Sequence, residues 1–265
     1  MKKYTLLFLL IFCASFCFAQ GETKITILHT NDVHSQVEPT AADKGGMVRA
    51  ATYIEQVRAE EKNVLLFSAG DFFQGTPYFN LFYGVVEIEL MNAMRYDAVC
   101  LGNHEFDNGV DSLAKRLQAA NFPIVTANYD VSQTPLRDLV KPYIIIEKDG
   151  LKIGVFGIGV LLNAFSLDKN WKGMLISEPI ETANTVAKTL KENENCDLII
   201  CLSHLGYNDD IQLSEHSRNI DIIIGGHSHT VLEQADIRKN LDGKKVYITQ
   251  TGKSGMSVGR IDISK

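Results

Sequence analysis

The sequence predicts a layered α/β fold whose strands are buried on both faces, with a second, mixed β-sheet. Short β-branched segments alternate with amphipathic stretches along most of the 265-residue chain, and this alternation is typical of strands that are buried between layers of helices. The later segments are mainly strand-like, and Lys148-Asp149-Gly150 has the composition of a hairpin turn. A second, mixed sheet is therefore expected from the later part of the chain.

The individual elements follow one another in an order that fits this architecture. Apolar, β-branched segments predict strands at residues 25–30, 64–69, 98–101, 124–126, 143–146, 153–157, 198–203, 220–224, 246–250 and 258–263. The first eight of these strands are expected to be buried. Amphipathic spacing predicts helices at residues 47–61, 79–94, 110–120 and 180–193. In the third helix, Leu113, Leu117 and Ala120 fall on one face.

The first nineteen residues have the composition of a secretory signal peptide. Lys2 and Lys3 give a positive start, residues 6–18 are apolar, and Cys17-Phe18-Ala19 offers small residues where a signal peptidase cuts. We therefore expect residues 1–19 to be removed and the mature chain to begin at Gln20. Export to the periplasm is expected, with full secretion as an alternative. A lipid anchor is less favoured, because both cysteines of this segment follow a bulky Phe.

Composition argues against a membrane-spanning segment and against a nucleic acid polymer as partner. No later segment is apolar for about eighteen residues, so no membrane span is expected. Without Lys2 and Lys3 the chain has 24 basic and 32 acidic residues, a net charge of −8, and no basic run stands out. Binding to a nucleic acid polymer is therefore not expected.

Cys100, Cys196 and Cys201 are expected to be buried free thiols rather than a disulfide framework.

Short polar motifs follow five of the predicted strands. They are His29-Thr30-Asn31-Asp32-Val33-His34, Gly70-Asp71, Gly102-Asn103-His104-Glu105-Phe106-Asp107, Ser203-His204 and Gly225-Gly226-His227-Ser228-His229. Ligand-binding residues of α/β proteins gather where strands end and loops begin, so these motifs are expected to form one site. Asp32 and His34 are two residues apart, as are His227 and His229. In extended backbone, each pair would therefore face one site.

The candidate ligands in these motifs are Asp, Asn and His, without Cys. Such a set suits Zn²⁺, Mn²⁺, Fe or Co²⁺. Seven candidates are too many for one ion, but they suit two ions about 4 Å apart that share a carboxylate. Two such ions hold an attacking hydroxide at neutral pH and clamp the oxygens of a phosphoryl group. One motif alone is more often a helix cap or a surface group, but five together favour a metal site.

The order of the motifs and the residues within them resemble those of the calcineurin-like metallophosphoesterases, and more closely those of their 5′-nucleotidase branch. The resemblance extends from about Ile25 to Ile263, nearly the whole mature chain. It implies a layered α-β-β-α sandwich over residues 20–265 that forms a single catalytic domain. It also implies hydrolysis of phosphoesters, above all nucleoside 5′-monophosphates, by a hydroxide that two divalent metal ions activate.

The resemblance also implies a role for each motif residue. Seven residues would bind the metals: Asp32, His34 and His229 the first, Asn103, His204 and His227 the second, with Asp71 between them. His104 would protonate the leaving oxygen or stabilise its developing charge, and Asp107 would orient it. The alternative for Asp107 is a cap for the helix that starts at Val110. Gln250 resembles a residue that approaches the first metal.

The family pattern leaves three functional alternatives. Typical 5′-nucleotidases carry a second, C-terminal domain that grips the phosphate and the base, and residues that match it are expected to be absent here. The chain could depend on a separately encoded nucleotide-binding domain. It could also be a phosphatase or cyclic-nucleotide phosphodiesterase of relaxed specificity. The least favoured alternative is a non-catalytic metal-binding subunit, because no implied ligand or acid is missing.

Overall fold

The computed structural model describes residues 24–264, and these residues form two six-stranded sheets that pack face to face. Helices cover both outer faces, so the predicted α-β-β-α sandwich is confirmed. The predicted signal peptide lies outside the described residues. Within them, no helix combines the length and the apolar character that crossing a bilayer requires.

The first sheet is built mainly from the early strands and is closed by the last strand of the chain. Its members are β1 (Lys24–Thr30), β2 (Val64–Ser68), β3 (Ala98–Cys100), β4 (Ile124–Val125), β6 (Val140–Lys141) and β14 (Gly259–Ser264). The strand order is β14-β1-β2-β3-β4-β6. All neighbours are parallel except β14, which pairs antiparallel with β1. A separate two-stranded ladder joins β5 (Tyr129–Asp130) to β9 (Leu175–Ile176).

The second sheet is mixed, as the hairpin and the later strands predict. Its members are β7 (Tyr143–Lys148), β8 (Leu151–Gly159), β10 (Leu198–His204), β11 (Ile222–Gly225), β12 (Asp236–Lys239) and β13 (Lys245–Thr249). The order is β12-β13-β11-β10-β8-β7, with parallel central strands and an antiparallel strand at each edge. The predicted turn is present, because Asp149 and Gly150 join β7 to β8 with φ values of 48° and 78°.

In the described residues, six α-helices complete the layers: α1 (Met47–Glu60), α2 (Pro77–Phe82), α3 (Val85–Met94), α4 (Val110–Leu117), α5 (Pro179–Glu192) and α6 (Tyr207–Glu215). Apolar residues of α1, α3 and α4 pack on the outer face of the first sheet. Those of α5 and α6 pack on the outer face of the second sheet. Between the sheets lies a third apolar layer, in which Ile27 and Phe67 meet Val155 and Leu202.

Several local predictions differ from the structure, among them the following three. The single helix predicted at residues 79–94 is wrong, because Tyr83 and Gly84 take left-handed φ values of 52° and 91° and separate α2 from α3. Strand β7 is half-buried at a sheet edge rather than fully buried. No strand was predicted at β12, whose sequence Asp-Ile-Arg-Lys lacks an apolar run.

The two sheets approach closely at Gly157 of β8. A Cβ atom there would overlap the backbone oxygen of Val125 and lie 2.9 Å from the Cys100 sulfur, both in the opposing sheet. Because protein interiors are close-packed, the sheets have no room for even one methyl group at this point.

We expect Gly157→Ala to lower the free energy of unfolding by about 2–3 kcal/mol, since the added methyl group forces the sheets apart. Denaturant unfolding of the purified chain measures this loss. Gly243→Ala is the control, because no atom lies near its Cβ position and only its φ of 72° opposes the substitution. Equal losses in the two variants would contradict the close approach of the sheets.

Candidate metal centre

Five loops from both sheets meet at one end of the sandwich. They follow β1, β2 and β3 of the first sheet and β10 and β11 of the second, at the carboxyl ends of parallel neighbours. The carboxyl ends of parallel strands share one edge of a sheet. This topology brings together six of the seven candidate ligands, which lie far apart in the sequence, and Asn103 follows β3 at the same end of the sandwich.

The backbone turns sharply where the candidate ligands leave their strands. Asp32, His34, Asp71, His227 and His229 have φ values of 50°, 51°, 53°, 70° and 55°. Non-glycine residues seldom adopt this left-handed conformation, and it persists where the surrounding structure holds it. The extended backbone assumed for the two Asp-x-His and His-x-His pairs is therefore wrong, although Asp32 and His34 still face the same group of ligands.

The first group consists of Asp32, His34 and His229, whose ligand atoms all lie within 4.8 Å of one another. The Nε2 atoms of the two histidines are 2.9 Å apart, and Nε2 of His229 is 3.4 Å from Oδ1 of Asp32. Burial lowers the pKa of His34 against the opposing pull of the Asp71 and Asp32 carboxylates. A neutral imidazole is the form that binds a metal ion.

The second group consists of Asp71, His204 and His227, again within 4.8 Å. Nε2 of His204 lies 3.0 Å from Oδ2 of Asp71, and its Nδ1 lies 2.6 Å from the Ala69 carbonyl oxygen. A hydrogen bond from Nδ1–H to a carbonyl leaves the Nε2 lone pair facing the group, as in metal-bound histidines. His227 belongs to this group rather than to that of His229.

The electric field of the two groups favours a cation. Burial opposes a positive charge on His204, but Asp71, Asp32 and the Ala69 carbonyl outweigh it and raise its pKa to about 10. Buried carboxylates that attract a proton so strongly would also attract a metal ion. Asn103 adds a neutral oxygen: its buried Oδ1 has no hydrogen-bond partner within residues 24–264. The donors present therefore fit borderline divalent cations.

Asp71 lies between the two groups. Besides its contact with His204, its Oδ2 is 4.0 Å from Nε2 of His34, and its Oδ1 accepts a hydrogen bond of 3.0 Å from the His104 backbone N–H. Gly102 permits this crowding, because a Cβ there would overlap Oδ1 of Asp71 and lie 2.6 Å from Nε2 of His204. Asp71 therefore lies close to histidines of both ligand groups.

Asn31 and the His227 backbone fix the orientation of Asp32. The Asn31 amide donates to Oδ2 of Asp32 at 2.6 Å and to the Gly252 carbonyl at 2.7 Å. The His227 N–H donates to both carboxylate oxygens at 3.0 Å. Sequence reasoning missed Asn31, although it lies inside the first motif. The residue types of the motif do not distinguish a side chain that binds a metal from one that orients a ligand.

Glu105 is the second residue that sequence reasoning missed. Its fully buried carboxylate accepts four backbone hydrogen bonds, from Asp71, Phe72, Phe73 and Gly102, at 2.6–3.0 Å. The loops after β2 and β3 are thereby joined through one side chain. Burial and the nearby Asp71 carboxylate raise the pKa of Glu105 to about 7, while its backbone donors oppose that rise.

His104 and Asp107 form the predicted pair. Nδ1 of His104 lies 2.8 Å from Oδ2 of Asp107, and about a third of each side chain is exposed. This hydrogen bond, against the effect of burial, raises the pKa of His104 to about 8. Asp107 does not cap α4, whose first residue follows Gly109 without a side-chain cap.

Gln250 lies beside the centre but supports a loop instead. Its amide nitrogen donates to the Gly226 carbonyl at 2.8 Å, and its amide oxygen accepts hydrogen bonds from Ser228 Oγ and the Thr230 N–H. These bonds occupy both polar atoms of the side chain. We therefore assign Gln250 to positioning the loop that carries His227, not to binding a metal.

Cys100, Cys196 and Cys201 are buried and free, as expected. His29 is also fully buried, with Nε2 3.2 Å from the Thr249 hydroxyl, and takes no part in either ligand group. The remaining histidine, His216, is exposed at the end of α6.

We expect Glu105→Gln to weaken metal binding, because an amide has only one acceptor oxygen for the four backbone donors that now share a carboxylate. The free energy of unfolding should fall by about 3 kcal/mol, since buried donors lose their partners. Metal titration calorimetry and denaturant unfolding measure the two effects. The exposed Glu89→Gln is the matched control. Unchanged metal affinity in Glu105→Gln would contradict its role in positioning Asp71.

Comparison with known proteins agrees with this geometry. Residues 25–231 match the calcineurin-like phosphoesterase family. The chain is 34% identical over 276 residues to the trifunctional nucleotide phosphoesterase protein YfkN of Bacillus subtilis, covering 92% of this chain and 18% of that protein. It is also 34% identical over 272 residues to the 5′-nucleotidase of Homo sapiens, covering 92% of this chain and 47% of that protein.

A solved structure shows the same likeness. The 5′-nucleotidase precursor from Thermus thermophilus superposes with a TM-score of 0.84 and 32% sequence identity, covering 91% of this chain and 51% of that one. The chain thus spans about half the length of these relatives, or less. On the family match, the motifs and the shared fold, this chain belongs to the calcineurin-like phosphoesterase family.

Proposed function

We propose that this chain hydrolyses phosphoesters with two divalent cations, and that its substrates are nucleoside 5′-monophosphates or related nucleotides. The observation that carries the proposal is the position of Asp71, which lies within reach of both groups of candidate ligands. A carboxylate shared by two sets of donors is typical of two-cation phosphoester hydrolases. The names of the relatives, a nucleotide phosphoesterase and a 5′-nucleotidase, support the substrate class.

The proposed metal ligands are those that the motifs predict. Asp32, His34 and His229 would hold one cation, Asn103, His204 and His227 the other, with Asp71 shared. When bound, Zn²⁺, Mn²⁺, Fe or Co²⁺ ions lower the pKa of water and neutralise charge on a transferring phosphoryl group. Asn31 fixes the carboxylate of Asp32, and Glu105 fixes the loop that carries Asp71. Both contacts exist before substrate binds, so little reorganisation is needed when it arrives.

His104 is the proposed general acid. Hydrolysis of a nucleoside monophosphate leaves an alkoxide oxygen on the ribose, and a positioned proton donor lowers the barrier to its departure. Nδ1 of His104 is held by Asp107 at 2.8 Å, so Nε2 is free to deliver the proton. The imidazole of His104 lies next to that of His34, with ring centroids 5.3 Å apart, and therefore borders the ligand groups.

We further propose that residues 1–19 direct export and that residues 20–265 act as one catalytic domain. A separate nucleotide-binding domain is the proposed candidate partner, and it would alter the substrate preference of the chain. Specificity comes from contacts beyond the reacting atoms, and the metal ligands alone supply little of it.

A hydrolysis panel tests the proposed function. Purified residues 20–265, with added Mn²⁺, Zn²⁺ or Co²⁺, would be given AMP, UDP-glucose, cyclic nucleotides and an aryl phosphate, with and without a chelator. We expect chelator-sensitive cleavage with AMP preferred. Weak and indiscriminate cleavage would favour relaxed specificity or a missing partner domain. No turnover despite bound metal would contradict the proposal and favour a binding subunit.

We expect His104→Ala to lower kcat by at least about 100-fold, because the leaving oxygen loses its proton donor. Metal content, measured by elemental analysis, should stay close to that of the unmodified chain. His216→Ala is the control, since this histidine is exposed and belongs to neither ligand group. Loss of metal from His104→Ala would show that the assigned role is wrong.

We expect Asp71→Ala to lose both cations, because each ligand group then lacks a carboxylate that lies within its reach. Elemental analysis after dialysis gives the metal content per chain. Asp138→Ala is the control, since its side chain is 84% exposed and lies in a separate surface ion pair. If Asp71→Ala retains two full equivalents of metal per chain, the assignment of Asp71 as the shared ligand is wrong.

A further inference from the structure

A groove of about 350 Å³ opens beside the second ligand group. We call it the Phe165 groove, and its apolar walls include Leu161, Ala164, Phe165, Ile180 and Leu205. Small-molecule sites in proteins are clefts of roughly 300–1,000 Å³ with mainly apolar walls. The groove therefore has the size and the chemistry to hold the organic part of a small substrate.

The Phe165 groove adjoins the candidate metal centre. The Phe165 ring meets the His227 imidazole edge to face, with centroids 4.6 Å apart. Leu205 directly follows His204 in the sequence and lines the groove. Phe165 and Leu205 thus place the groove next to two candidate ligands of the second group.

The aromatic ring of Phe165 is partly exposed to solvent at the groove. The residue is 52% exposed, although aromatic rings gain strongly from removal from water. A planar ring that enters the groove could cover this surface by stacking on Phe165. Stacking of a base on an aromatic side chain is a common source of affinity for nucleotides.

The polar side chains of the groove favour a heterocycle over a plain hydrocarbon. The carboxylates of Glu178 and Asp209 and the amide of Gln212 line the groove. No hydrogen bond occupies these three side chains within the described part of the chain. Their oxygens can accept hydrogen bonds from the amino and ring N–H groups of a base. The two carboxylates would also repel a phosphate, which leaves the metal centre as the place for the charged end.

We propose that the Phe165 groove binds the base of the nucleotide substrate while the phosphate lies at the candidate metal ligands. This inference rests on the proposed function and names its substrate-selecting site. It gives this chain base contacts of its own, so that discrimination between nucleotides does not require a second domain.

The test compares AMP with ribose 5-phosphate, which presents the same ester linkage without a base. We define selectivity as kcat/KM for AMP divided by kcat/KM for ribose 5-phosphate. The unmodified chain should prefer AMP, and Phe165→Ala should lower the selectivity about tenfold, which corresponds to about 1.4 kcal/mol. Ala164→Trp, which fills the groove, should lower it at least as far. Leu167→Ala is the matched control, since Leu167 is 63% exposed on the same loop but does not line the groove.

The outcomes separate this inference from the proposed function. If the unmodified chain hydrolyses both compounds with equal kcat/KM, or if neither groove variant changes the selectivity, the groove does not bind the base, but the hydrolytic function stands. If the unmodified chain hydrolyses neither compound, both proposals fail. Metal content is measured for each variant, and if Phe165→Ala loses metal through its contact with His227, the selectivity of Ala164→Trp decides.

Discussion

The buried carboxylate of Asp71 is the group on which the rest of the centre depends. Burying a charge is costly unless partners compensate for it. Here the His104 backbone N–H and the His204 ring lie 3.0 Å from its two oxygens. The four hydrogen bonds to Glu105 hold the surrounding loop in place. A second buried acid thus stabilises the backbone that presents the first, and a bound cation would complete the compensation.

The packing of the two sheets against each other positions the proposed metal ligands. Neither sheet alone carries the full set of proposed ligands: loops of the first carry Asp32, His34, Asp71 and Asn103, and those of the second carry His204, His227 and His229. The close approach of the sheets therefore has a direct bearing on function. Because each ligand group draws residues from both sheets, a shift of one sheet against the other would separate the members of each group.

The sequence allowed much of this to be predicted, for identifiable reasons. Strong apolar runs mark the central strands, and the polar motifs after them mark the site. Elements with a weak pattern were missed, such as α6, whose sequence is mostly polar. The support roles of Asn31 and Glu105 depend on contacts between distant loops. The same is true of Phe165, which meets His227 only in the folded chain.

The most direct test of the central claim is a crystal structure of the mature chain with Mn²⁺ or Zn²⁺, using anomalous scattering to locate the ions. The account predicts two anomalous peaks about 4 Å apart, with one oxygen of Asp71 within bonding distance of each. One peak alone, or two peaks of which only one contacts Asp71, would contradict a centre organised around a shared carboxylate.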